Sequence, residues 1–126
     1  MKSYFFLFLT FLLLKSCDRV KKEKDIKPAL ITETSFKPET ICDCNDNGII
    51  LLNQILKKRQ QFSDVEMLLK NREANEHLEI LKKNWKTMQY KCLKTFGAIL
   101  FKTEGCNNPD TIQALKDKLY DLGVNT

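Results

Sequence analysis

The chain has 126 residues and a formal charge of +5, room for one domain and too little positive excess to imply a polyanionic partner. Four glycines and one histidine, with no HExxH, GxSxG, phosphate-cradling glycine loop or EF-hand pattern, leave no motif for hydrolytic, nucleotide or calcium chemistry. No enzymatic activity, no cofactor and no bound metal is expected.

The first element is apolar. After Met1-Lys2-Ser3, an unbroken run from Tyr4 to Leu14 (YFFLFLTFLLL) would rise about 16 Å as a helix, roughly half the thickness of a bilayer's hydrocarbon core. That is short for a membrane span and right for the core of a signal peptide. Leu14-Lys15-Ser16-Cys17 follows and resembles a bacterial lipobox, with an aliphatic residue three positions before the cysteine and a small residue just before it. Leu14, Ser16 and Cys17 match, while Lys15 departs from the small residue usual at its position. Short leaders ending in Ser-Cys are similar to those of Bacteroidetes lipoproteins. The resemblance covers about twenty residues and implies an address. Residues 1–16 would be removed, and Cys17 would carry a diacylglycerol and often an N-acyl (palmitate-type) chain. The protein would be held on the exported side of a cell-envelope membrane, the outer one by preference. Each buried CH₂ contributes about 0.8 kcal/mol, so two or three chains anchor stably. Ordinary secretion would instead leave Cys17 as an unpaired thiol in an oxidising space, the poorer arrangement. Without Lys2 and Lys15 the charge of +5 loses two units and becomes +3.

Residues 17–40 read as the lipidated cysteine and a flexible tether. The stretch mixes charges of both signs, contains Pro28 and Pro38, and has too few apolar residues to offset its ordering entropy. Its typical span is about 25 Å. The basic cluster Arg19, Lys21, Lys22 and Lys24 lies beside Asp18, Glu23 and Asp25, and reads as a solvated linker before a lipid-contacting patch.

Residues 41–126 read as the folded part, an all-α bundle of three or four helices. The first helix is expected to begin near Asp46 or Asn47 and to carry Ile49 to Leu52, Ile55, Leu56 and Phe62, with Lys57, Lys58 and Arg59 near its C-terminus. Ser63-Asp64-Val65-Glu66 reads as a capping box, with Phe62 placed to staple against Met67. From Ala74 the apolar positions Leu78, Leu81, Trp85, Met88, Cys92 and Phe96 alternate by threes and fours and form one stripe. The polar stretch Lys70–Asn75 would bend that helix or divide it. Gly97 reads as its stop, and residues 98–101 as a last apolar turn or a short extended piece. Asn108-Pro109-Asp110 opens the last helix as cap, first-turn proline and first-turn acid, Ile112, Leu115, Leu119 and Leu122 form its face, and Gly123 ends it.

A domain this small buries only about 60–65% of the surface its unfolded chain exposes, so it needs staples. Cys42, Cys44, Cys92 and Cys106 supply two disulfides in an exported chain. Each of Cys42 and Cys44 is expected to reach one of Cys92 and Cys106, with the pairing open. A four-cysteine zinc site is the rival, but neither pair has the CxxC spacing of zinc knuckles.

The basic side of the long helix, with Lys82, Lys83 and Lys86, reads first as a solvated face and second as the candidate interaction surface, for an acidic protein partner. Glu73 and His77 are four apart and present two metal ligands with no third, so helical side-chain contact is the simpler account. Trp85 and Met88 belong to the apolar stripe and read as core rather than as a ligand pocket, with Tyr90 beside them. The expected partners are a membrane through the lipid anchor and a protein, with no nucleic acid. The expected function is a non-enzymatic interaction module, of immunity or inhibitor type. An accessory subunit of an envelope complex is the alternative, and a small-ligand or metal-binding lipoprotein is the alternative of another class.

Overall fold

Thr40 starts the helical domain. Its hydroxyl accepts a hydrogen bond from the Asp43 N–H, and the Asp43 carboxylate accepts from the Thr40 and Glu39 N–H groups at 2.8 and 2.9 Å. Two otherwise orphaned donors of the first turn are satisfied in this way. In the structure, a computed structural model describing residues 35–126, four α-helices follow: α1 (Ile41–Gln60), α2 (Val65–Lys70), α3 (Arg72–Phe96) and α4 (Pro109–Asp121), with a 3-10 turn (Gly97–Phe101) between the last two. No strand occurs among the described residues. The expected leader, Cys17 and the expected tether up to residue 34 lie outside them. Residues 35–40 are described, and Phe36 already packs on the core, its carbonyl accepting from the Lys91 ammonium at 2.6 Å.

Both α3 and α4 pack on α1, α2 packs on α3, and the 3-10 turn packs on the end of α3. The core is Leu51, Leu52, Ile55 and Leu56 of α1 against Ala74, Leu78, Leu81, Trp85 and Met88 of α3, closed by Leu68, Leu119 and Val124. The α3 stripe thus faces inward as its spacing predicts. Gly48 lets α1 approach both neighbours. A Cβ there would lie 3.0 Å from Cδ1 of Ile112 and 3.2 Å from Cζ3 of Trp85. Gly48→Ala gains about 1 kcal/mol of helix propensity but overpacks, at about 1–3 kcal/mol. The Ile112 methyl can shift and the indole ring cannot. We expect Gly48→Ala to cost about 1 kcal/mol and Gly48→Leu more than about 3, read from denaturant midpoints. An unchanged midpoint for Gly48→Leu would show that the three helices do not meet there.

The ends are set by identifiable groups. Asn71 separates α2 from α3, its side chain accepting from the Ala74 N–H at 3.0 Å, so the polar stretch divides the helix. Gly97 caps α3 at φ +57°. Gly123, at φ +81°, ends α4 while the Val124 N–H returns to the Leu119 carbonyl, which seats both side chains in the core. Arg59, buried at the end of α1, donates from Nε to the Leu122 carbonyl and from Nη1 to the Phe62 carbonyl, both at 2.8 Å. It joins the far ends of α1 and α4.

Two expectations are corrected. Helix α1 begins at Ile41, about a turn and a half before Asp46, so Cys42 and Cys44 lie within the helix and not ahead of it. The cap of α2 is Asp64 and not Ser63, because its carboxylate accepts from the Met67 N–H at 2.8 Å. Phe62 packs on the core, and Met67 is more than half exposed.

Two disulfides complete the domain, Cys42–Cys106 and Cys44–Cys92, with Cα atoms 5.5 and 5.9 Å apart. The chain is therefore a disulfide-stapled all-α bundle. The Asp43 and Asp64 carboxyls are held below their ordinary value of 3.8, chiefly by the backbone N–H groups they accept from. A depressed folded-state pKa contributes stability above the unfolded value, and that stability is lost as pH falls through the folded value. The thermal midpoint is thus expected to fall below pH 3.8. The double variant Asp43→Asn/Asp64→Asn, which retains caps but not titration, should show a shallower fall, and an identical acid profile would contradict this.

Candidate functional site

Because α3 and α4 both sit on α1 without closing on each other, a groove of about 560 Å³ remains between them. One wall is Lys86, Gln89, Tyr90 and Leu93 of α3, and the other is Pro109, Asp110, Ile112, Gln113 and Lys116 of α4. Met88, Asn45 and the Cys44–Cys92 disulfide form the floor, and Leu100 and Phe101 of the 3-10 turn, with Asn107 behind them in sequence, contribute the remaining lining.

The turn is held by one amide. Asn107 is buried, and its Nδ2 donates towards the Ile99, Leu100 and Lys102 carbonyls at 3.3, 3.1 and 2.6 Å. Its backbone exchanges hydrogen bonds with Glu104, the Asn107 N–H to the Glu104 carbonyl at 2.9 Å and the reverse at 3.2 Å. The α4 wall is fixed by Asn45, whose Oδ1 accepts from the Asn108 N–H at 2.9 Å, while the Asn108 side chain caps α4. Groups of both walls therefore bear on α1 or on one another's ends, and the groove is preformed.

Its surface is apolar where apolar groups are costly. Phe101 is 72% exposed, Tyr90 60% and Leu93 49%, side by side with the half-buried Leu100 and Ile112. Lone exposed apolar residues are ordinary, whereas several lining one groove mark a contact surface. Lys86 and Lys116 flank the groove from opposite walls.

Of the sequence-predicted residues, Lys86 lines the groove and is exposed. Lys83 is exposed one turn away on the same helix, and Lys82 is half-buried, with its ammonium 3.0 Å from the Glu79 carboxylate. Cys42 and Cys106 form the bridge beside the last loop, and Cys44 and Cys92 form the one beneath the groove. Cys17 lies outside the described residues. Trp85 is buried as core, Met88 is buried at the groove floor, and Tyr90 stands on the wall. His77 is half-buried on α3, and Glu73 is exposed. Among the described residues no three His, Cys, Asp or Glu side chains group as a metal site, and no helix is long and apolar enough to cross a membrane.

Leu93, Leu100 and Phe101 were missed as surface residues. Their signal was present: Leu93 falls off the α3 stripe, and Phe101 follows the helix stop at Gly97. No protein-family model, no curated protein and no solved structure matches the chain.

Proposed function

We propose that the chain is a lipid-anchored cell-envelope protein whose helical domain is a non-enzymatic protein-interaction module. The observation that carries the module is the exposed apolar groove with Tyr90, Leu93 and Phe101 on its walls. Aromatic side chains offer large contact area at low entropic cost and are enriched where proteins meet. The address rests on Leu14, Ser16 and Cys17 and their likeness to a lipobox, with an outer-membrane position on the exported side. An immunity or inhibitor role suits a small stapled domain on a leash, and an accessory subunit of an envelope complex is the alternative within the same class. The groove volume also falls in the range of small-molecule sites, roughly 300–1,000 Å³, which keeps a small-ligand lipoprotein as the reading of another class. The exposed rim favours a protein, since a small ligand on the floor would leave Phe101 and Tyr90 in water. Nucleic acid is disfavoured because the net charge of +5 is mild and Glu73, Glu76 and Glu79 at the start of α3 offset part of the basic charge that follows.

Two measurements test this. Labelled fatty acid should be incorporated by the native chain and not by Cys17→Ser; label retained by the variant contradicts the anchor. The full-length oxidised protein should co-purify with a stoichiometric protein that Phe101→Asp loses, a toxin or hydrolase indicating immunity or inhibition and an envelope subunit indicating assembly. Equal recovery with Phe101→Asp contradicts the module.

A further inference from the structure

The two ends of the groove differ. The chain leaves α3 at Phe96 and enters α4 at Pro109, so the two helices run in opposite directions from the end that carries the 3-10 turn. Leu93, Leu100, Phe101, Pro109 and Ile112 gather at that end. Lys86 and Lys116 face the groove farther out, and neither is ion-paired among the described residues. The acids nearby are already placed: Asp110 lies in the first turn of α4, where the helix dipole favours it, and Asp117 accepts from Gln113 at 2.7 Å.

From this we infer that the groove receives an acidic amphipathic helix of a protein partner, a conclusion that rests on the groove being a protein-contact surface. Two helices seated on a third and held apart leave the position that the next helix of a bundle would occupy. The α3 wall from Lys86 to Leu93 extends about 12 Å, two helical turns, enough for apolar anchors at i, i+3 or i+4, and i+7. A strand has nothing to pair with, because no sheet edge exists among the described residues. The apolar anchors would meet Leu93, Phe101 and Ile112, and carboxylates on the helix flanks would meet Lys86 and Lys116, with Lys83 one turn beyond. Such rim charges set the choice of partner and the rate of encounter more than the affinity. Phe36 lies elsewhere: it is held by Lys91, which at 100° per residue lies on the flank of α3 away from Gln89, Tyr90 and Leu93.

The test is selection from a displayed library of fourteen-residue helical peptides against the full-length oxidised protein in detergent micelles. Apolar anchors are fixed at i, i+4 and i+7, and the flanks vary among Glu, Gln and Lys. We expect enrichment of Glu-rich flanks, at least tenfold weaker binding to Phe101→Ser, and inversion to Lys-rich flanks with Lys86→Glu/Lys116→Glu. Neutral or basic winners that still need Phe101 would overturn the acidic helix and leave the protein-contact groove standing. No enrichment, or winners indifferent to Phe101→Ser, would overturn both. A dimer lost in Phe101→Ser would assign the groove to a second copy and overturn the inference as well.

Discussion

Removing the inner disulfide by Cys44→Ala/Cys92→Ala is expected to cost about 4 kcal/mol, and the outer one by Cys42→Ala/Cys106→Ala about 3 kcal/mol. The two bridges are nested, 42–106 around 44–92. In the chain-entropy model either alone closes a loop of about fifty or sixty residues and contributes about 4 kcal/mol. With one in place, the other closes only a short circuit of about sixteen residues, which contributes about 3 kcal/mol. Cys44 and Cys92 are also buried against the core, so their removal loses packing that the exposed Cys106 does not provide. Loss of both bridges removes about 7 kcal/mol of chain constraint, with the packing of Cys44 and Cys92 lost in addition, comparable to the whole stability of many small domains. Denaturant titration of the three variants checks this. Equal costs for the two single removals would show that the buried sulfurs pack no better than the exposed bridge, and a reduced chain that still unfolds cooperatively would contradict the account of why the domain folds.

Trp85→Ala is expected to cost about 3–5 kcal/mol, and Trp85→Phe less than about 1. The ring is 2% exposed and fills the space opposite Gly48, so truncation leaves a cavity that the α1–α3 contact cannot close. Its Nε1–H, however, is buried with no acceptor among the described residues. A buried donor left unpaired costs about 1–3 kcal/mol, which Phe removes together with part of the ring. The two losses therefore nearly cancel. Circular dichroism melts of both variants separate the terms, and a Trp85→Phe cost equal to that of Ala would mean that the indole N–H is satisfied in solution.

These effects fall on residues whose burial was legible to different degrees. The α3 stripe from Ala74 to Cys92 and the Asn108-Pro109 start could be read because period and cap agree with the packing that followed. The start of α1 could not. Residues 42–47 read CDCNDN, which has no apolar period and poor helix formers, so propensity placed the boundary too late. The Thr40–Asp43 capping box and the two disulfides within the first turns override that propensity. Cysteine count and spacing limited the pairing to two patterns. The choice between them depends on which cysteine of α1 faces α3, a rotation set by tertiary contact. The groove was the least legible feature, because it arises from two helices that share a neighbour and do not close on each other. Lys86 was singled out for its charge, but the apolar residues around it carry the site.

The most direct test of an interaction module is photo-cross-linking in cells from a benzoyl-phenylalanine at Phe101, with Gln54 on the exposed side of α1 as control. The account predicts a discrete cross-linked protein from Phe101, absent from Gln54 and reduced by Lys86→Glu/Lys116→Glu. Cross-links of equal pattern from both positions, or none from Phe101, would contradict it.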